Sequence, residues 1–325
     1  EKAGRFNRPA FSLQIWRGNN MQKALKKLGR FWPLYLMLAP GAVYLFINCY
    51  IPMAGIVVAF KQYNARKGMF GSDWVGLSNF EFLFKTNDAW LMTRNTLVYN
   101  LVFILLGTVL AITIAIILNE IHSKAAKQVY QTVILIPYLI SMVVVSYLAF
   151  AFLSNGNGFF NNTILPLLGM EPIDWYNSPQ YWPVILVVIQ IWKTLGYNCI
   201  LYYATICGID HSLYEAAVVD GANRWQQIRN VTLPSLKSTI VILTLMSLGG
   251  IFRSDFGLFY QVPMDSGALL EVTQTIDTYV YRGLMQTNNI GMSSAAGVYQ
   301  SIVGFILVFS ANWVVRKLDN DSSLF

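Results

Sequence analysis

Charge is what this chain lacks most. Only 12% of its 325 residues are Asp, Glu, Lys or Arg, against about 25% in an ordinary soluble domain. With 55% of residues hydrophobic, its long uncharged runs belong in a bilayer. Cysteine is scarce as well. Cys49, Cys199 and Cys207 sit in apolar surroundings and no CxxC occurs, which excludes a disulfide framework and a zinc site of that type. There is no GxxxxGK[ST] loop to cradle a nucleotide and no HExxH to hold zinc. The two histidines, His122 and His211, fall in polar loops with no carboxylate or thiol at ligand spacing, and read as solvated. No Ser/His/Asp set falls on one face. These absences point away from an enzyme and from a resident metal or cofactor. No acidic residue lies well inside an apolar run, and no clear inverted repeat is found. Both absences weaken an ion-coupled secondary carbohydrate carrier, the principal alternative reading.

What is present is sharply distributed. Eight of the 23 Lys and Arg precede residue 31, so the net charge of +7 points to a membrane surface and not to nucleic acid. Met21, Ala24, Leu25 and Leu28 recur at helical spacing, with Lys23, Lys26, Lys27 and Arg30 on the other faces. That segment is either an amphipathic helix lying on an anionic leaflet or a stop for membrane insertion. The first apolar run, between Arg30 and Lys61, starts too late and is too long for a cleavable signal peptide. Pro33, Pro40 and Pro52 punctuate it and predict a kinked first span. Five more spans are expected at about residues 95–118, 129–153 (with Pro137 inside), 181–206, 234–250 (with a bend at Gly249-Gly250) and 293–315. Residues 61–93, 154–181 and 253–292 read as long loops. The expected architecture is an all-α polytopic membrane protein of about six transmembrane helices. It divides into a basic tail at 1–31, a transmembrane domain at 32–317 carrying a polar loop at 210–234, and a tail at 318–325.

Six spans put both termini on one side. The basic amino-terminal arm, the 119–128 and 209–233 loops and Arg316-Lys317 share a face, while residues 154–181 contain no Lys or Arg. Lys61, Arg66, Lys67 and Lys85 count the other way, but the amino-terminal charge is larger and adjoins the first span. Both termini and the 210–234 loop are therefore expected in the cytoplasm.

That loop has its own grammar. Ser212 followed by Glu215 predicts a capping box, and a helix over 213–220 follows. Gly221 tolerates the positive φ that stops a helix. A second short helix is expected over 223–231, with Pro234 in the first turn of a third. The product is a compact knob between two apolar segments, and Ala216 and Ala217 are small enough for a partner to approach closely. Glu215-Ala216-Ala217, three residues, Gly221, nine residues, Val231, one residue and Leu233-Pro234 resembles the EAA motif of binding-protein-dependent ABC importer permeases, with Val231 where that pattern usually has Ile. Asn48-Cys-Tyr-Ile-Pro52, Phe60-Lys-Gln-Tyr-Asn64, Trp74-Val-Gly-Leu-Ser-Asn-Phe80, Ile276-Asp-Thr-Tyr-Val-Tyr-Arg-Gly-Leu284 and Ala311-Asn-Trp313 with Arg316 are similar to the oligosaccharide and polysaccharide, LplB-like branch. The likeness covers most of residues 30–317.

The resemblance implies half of a type I importer in a bacterial cytoplasmic membrane. Its partners would be a second permease, usually a different chain, two ATPase subunits and an extracytoplasmic solute-binding protein that delivers an oligosaccharide. ATP and Mg would be used by the ATPases and by nothing in this chain. Carried over by position, Glu215, Ala216, Ala217, Asp220, Gly221, Arg224, Val231, Leu233 and Pro234 are the coupling residues. Glu215 either caps its own helix or pairs with a basic group on the ATPase. Arg224 and Arg229 either join that contact or are solvated. A transported sugar needs flat apolar faces and hydrogen-bonding groups, which Trp192, Lys193, Tyr197 and Asn198 offer within two turns. Lys193 is costly in an apolar helix and reads as a cavity wall, with snorkelling to an interface as the alternative. Arg253, Asp255 and Phe256 either line an outer chamber or mark the interface.

Overall fold

The computed structural model describes residues 31–318. The predicted helix at 21–28 and the tail beyond Leu318 lie outside the described residues. The described residues fall into two units that divide between Val57 and Val58. In the first, α1 (Trp32–Leu45) leads into a π turn at Phe46–Tyr50 and a short helix through Met53. Counted on to Phe60, this is a 29-residue apolar helix, long enough to cross a bilayer.

The second unit holds the rest. Its long helices are α2 (Asp88–Glu120), α5 (Trp182–Cys207), α8 (Leu233–Gly249) and α10 (Ile290–Leu318). Between α2 and α5 lie α3 (Lys124–Leu139) and α4 (Met142–Leu153). Between α5 and α8 lie α6 (His211–Val219) and α7 (Arg224–Gln227), and α9 (Ile276–Met285) precedes α10. Among the described residues five helices are long and apolar enough to span, and the α3–α4 pair makes a sixth if a bent pair counts as one span. The only strands among the described residues are two-residue β1 (Lys61–Gln62) and β2 (Asp73–Trp74), paired antiparallel.

Three expectations are corrected. The span expected over 129–153 is not one continuous helix but a bent pair, with α3 and α4 meeting at 95°. Pro137 cannot donate to the helix ladder, α3 stops two residues later, and Ser141 caps α4 by accepting from the Val144 N–H. Pro234 does not open a separate helix, because α7, a π turn at Ile228–Thr232 and α8 run as one continuous helix from Arg224 to Gly249. The segments 154–181 and 253–292 are not open loops but contain helical turns, π turns and α9. Each of the four π turns among the described residues ends two residues before a proline: Pro52, Pro166, Pro234 and Pro263. Proline has no N–H to donate, and its ring pushes away the carbonyl four residues back. Widening the preceding turn accommodates both.

Packing of α2 on α5 sets the frame. Ala111 and Ala115, four residues apart on α2, are buried and let α5 and α8 approach through Cys199, Tyr202, Ile206 and Leu236. Farther along, Tyr99, Trp182, Leu186 and Phe259 form a second cluster. Met92, Ile276, Ala295 and Ala296 form a third.

Broken backbone in an apolar environment needs partners for its polar groups. Unbroken helices supply them. On α2, Asn95 donates to the Glu271 and Gln274 carbonyls (both 3.0 Å), the Tyr99 hydroxyl donates to the Val272 carbonyl (2.9 Å), and Asn100 donates to the Ile251 and Arg253 carbonyls (3.0 and 2.8 Å). From α5, Lys193 donates to carbonyls at the α3–α4 corner.

Candidate functional site: a polar cavity and an exposed elbow

One face of α5 carries Gln190, Thr194, Tyr197, Asn198 and Leu201, spaced as one helical stripe. With Asn100, Phe103 and Thr108 of α2, Tyr138 of α3 and Met246 and Ser247 of α8, that stripe lines a cavity of about 430 Å³. Every lining side chain is uncharged. Gln190 Oε1 is buried and has no hydrogen-bond donor among the described residues. Tyr138 and Tyr197 stack at 4.8 Å with their rings 12° from parallel. The cavity therefore combines amides, hydroxyls and flat rings, the groups that recognise a polyhydroxylated ligand.

The predicted path residues separate. Tyr197 and Asn198 line the cavity. Trp192 faces away from it, into an apolar groove with Phe152 and Val188. Lys193 does not line the cavity. Its ammonium binds the carbonyls of Pro137 (3.4 Å), Tyr138 (3.2 Å) and Ile140 (2.5 Å). Arg253, Asp255 and Phe256 do not line the cavity either. The Arg253 carbonyl is held by Asn100, Asp255 accepts from the Leu258 N–H (3.1 Å), and Phe256 packs against Tyr260 and Tyr281. Sequence reasoning missed Gln190, Thr194 and Asn100. The signal for the first two was the polar stripe at i, i+4, i+7 and i+8 in an apolar helix.

The second candidate site is the elbow that joins α5 to α8. The capping box expected from Ser212 and Glu215 does not form. Asp210 is the cap, its carboxylate accepting the Ser212 N–H at 3.0 Å, and α6 starts at His211. An ionised carboxylate at the positive end of a helix is a stronger cap than a hydroxyl inside the first turn. The Ser212 backbone N–H in turn holds the Asp210 carboxyl below its ordinary pKa. Gly221 takes the predicted left-handed turn at φ 78°, and the Ala222 N–H closes back on the Ala217 carbonyl at 2.9 Å. A capping box does form one helix later, between Asn223 and Gln226.

Tyr214 and Thr232 share a hydrogen bond (2.9 Å), and Gln227 donates to the Ala222 carbonyl (3.0 Å), so α6 is fastened to the base of α8. Glu215, Ala216, Asp220, Gly221, Leu233 and Pro234 are exposed; Ala217 and Val231 are half-buried. Glu215 has no partner among the described residues. Arg224 lies 3.9 Å from Glu120, both exposed, a pairing worth little. Val219 is 87% exposed and Trp225 69%. The elbow thus ties Asp210, Tyr214, Asn223, Gln226 and Gln227 in internal bonds and turns Val219 and Trp225 outward, two residues that sequence reasoning did not single out.

Residues 104–320 match the model of the binding-protein-dependent transport system inner membrane component. The chain is 34% identical to the polygalacturonan/rhamnogalacturonan transport system permease protein YteP of Bacillus subtilis strain 168, over 96% of this chain and 97% of that one. It is 33% identical to protein LplB of the same organism, over 97% of each. Among solved structures, a bacterial ABC transporter involved in import of the acidic polysaccharide alginate superposes with a TM-score of 0.82 at 33% identity, covering 91% of this chain and 99% of that chain. The alginate transporter has also been solved in complex with an alginate pentasaccharide-bound periplasmic protein, and that chain superposes with a TM-score of 0.81. An elbow between spans, a polar chamber among helices and these likenesses converge: the chain belongs to the membrane-component family of binding-protein-dependent ABC importers and is a multi-pass permease.

Proposed function

We propose that this permease carries oligosaccharides or polysaccharide fragments through the cavity beside α5, and that it is driven through the elbow by separate ATPase subunits. The observation that carries the sugar path is an uncharged chamber whose wall brings Asn100, Gln190, Thr194, Tyr197 and Asn198 together. Gln190, Thr194, Tyr197 and Asn198 lie on one stripe, where their amides and hydroxyls can exchange hydrogen bonds with successive sugar hydroxyls. With no charge in its lining, the chamber offers hydrogen bonds and flat ring faces. Relatives that handle pectic polymers and alginate support the substrate class.

In this reading two permeases pair, a solute-binding protein delivers the sugar from outside, and an ATPase binds each elbow from the cytoplasm of a bacterial cell. ATP and Mg belong to the ATPases. Glu215, Ala216, Ala217, Asp220, Gly221, Arg224, Val231, Leu233 and Pro234 form or frame the docking face, to which Val219 and Trp225 add apolar contact. Closure of the ATPases pushes the elbow as one body. The Tyr214–Thr232 bond and the continuous helix from Arg224 to Gly249 transmit that push into the spans.

The test is uptake and ATPase activity in proteoliposomes holding the complete importer and its binding protein. Glu215→Lys and Gly221→Pro should abolish uptake while the protein still reaches the membrane. Normal substrate-stimulated ATPase activity in either would count heavily against the elbow's role. Gln190→Leu should raise the KM for uptake about tenfold, a loss of one hydrogen bond to the sugar, with basal ATPase unchanged. Ion-driven uptake by this chain alone would restore the secondary-carrier reading.

A further inference from the structure

The end of α3 is tied to α5 at three successive points, and each has a different physical basis. Lys193 gathers the carbonyls of Pro137, Tyr138 and Ile140. One turn on, Gly196 lets the two backbones touch: a Cβ built there would lie 1.9 Å from the Ile134 carbonyl oxygen. Next to it, Tyr197 stacks on Tyr138. A cation inside an apolar helix is costly, and it persists where it satisfies other buried groups. Here three donors on one ammonium meet three carbonyls at the 95° corner, of which only that of Pro137 also accepts a backbone N–H, from Ile140 (3.3 Å). Tyr138, whose carbonyl Lys193 binds, is also the α3 residue that lines the cavity.

We infer that Lys193 is a positioning residue for the sugar path: by holding the α3–α4 corner against α5, it sets the Tyr138–Tyr197 ring pair as the cavity's aromatic wall. The stacked rings offer a flat surface for the apolar C–H face of a sugar ring, beside the amides of Asn198 and Gln190. Lys193 does not touch the sugar. Its effect passes through the position of Tyr138. The inference rests on the cavity being the sugar path, so the experiment separates the two.

Lys193→Met keeps side-chain length and removes the donors. In the complete importer, with labelled trigalacturonate and alginate pentasaccharide as probes, it should raise KM about tenfold with basal ATPase unchanged. Lys193→Arg, which still donates to several carbonyls, should return KM to within about threefold. Tyr138→Ala should raise KM by as much as Lys193→Met, and the double variant should be no worse than either, because both remove one wall. Independently of any sugar, hydrogen exchange over residues 134–145 should quicken in Lys193→Met and not in Lys193→Arg.

A wild-type KM in Tyr138→Ala, or fully additive effects, overturns the inference. So does unchanged exchange over the corner in Lys193→Met. If Gln190→Leu also leaves KM unchanged, the cavity reading itself falls. Should Lys193→Met fail to assemble, Lys193→Arg and Tyr138→Ala still decide, and if neither probe is carried, the exchange measurement decides.

Discussion

The cavity and the elbow both hang from α5, and they are built on opposite plans. The elbow's bonds are local: Asp210 to Ser212, Asn223 to Gln226, Gln227 to Ala222, and Tyr214 to Thr232 eighteen residues on. The cavity's walls are held by bonds that cross the chain. Asn100 reaches the Arg253 carbonyl 153 residues away, and Lys193 reaches Ile140 across 53. Polarity inverts as well. The cavity turns polar groups inward, towards a ligand, whereas the elbow turns Val219 and Trp225 outward. A permease has reason for both. In the proposed function the transport path is shaped by several spans at once, and the elbow serves as a lever that keeps its own form.

If that contrast is right, damage to the cross-chain ties should disable assembly of the spans, and damage to the elbow should stay local. The harshest test is Gly196→Ala. The new methyl would meet the Ile134 backbone at 1.9 Å, and neither helix backbone can yield cheaply. The cost should reach or exceed the about 1–3 kcal/mol usual for overpacking, seen as loss of monodisperse protein on size exclusion. Gly107→Ala is the control on α2: nothing lies within 4 Å of a Cβ there, so the same change should leave thermal stability within about 1 kcal/mol of wild type. Wild-type behaviour of Gly196→Ala would mean that α3 is not seated on α5 as described.

Asn100→Leu comes next. It strands the Ile251 and Arg253 carbonyls at the break after α8, which should cost about 2–4 kcal/mol in all and lower Tm in detergent. Tyr214→Phe removes one elbow bond worth about 1 kcal/mol. Hydrogen exchange over residues 211–220 should quicken while Tm of the spans stays put. A Tm fall as large as that of Asn100→Leu would erase the distinction between local lever and shared chamber.

The same distinction decides what could be read from the sequence. Gly221, the helices on either side of it and the exposed small residues were legible because each depends on neighbours within a few positions. Even there, the cap went to Asp210 and not Ser212, because a charged competitor lay two residues upstream. Tyr197 and Asn198 were legible as polar groups in an apolar helix. Gln190 and Thr194 share their stripe and needed only the spacing to be counted. Asn100 and Lys193 were different: their partners are carbonyls at breaks elsewhere in the chain, and no pattern around either residue names them. Pro137 predicted a disturbance in the third apolar run, but the 95° corner follows from how Lys193 and Gly196 receive it.

The gentlest probe of the local plan is pH. Asp210 has its carboxyl held below the ordinary value of 3.8, chiefly by the Ser212 backbone N–H. A depressed carboxyl pKa means that the ionised form is favoured in the folded elbow. Its contribution is therefore complete above the ordinary value and is lost as pH falls through the lower, native one. Below about pH 3.8 the start of α6 should fray first, detected as faster exchange over residues 211–215 with no change over 134–145. Asp210→Asn retains a capping oxygen without a titrating group, so the fraying should persist at a constant low level across the same range. Should the corner at α3 and α4 open together with α6 in acid, the elbow would not be the self-contained body that its short-range bonds describe.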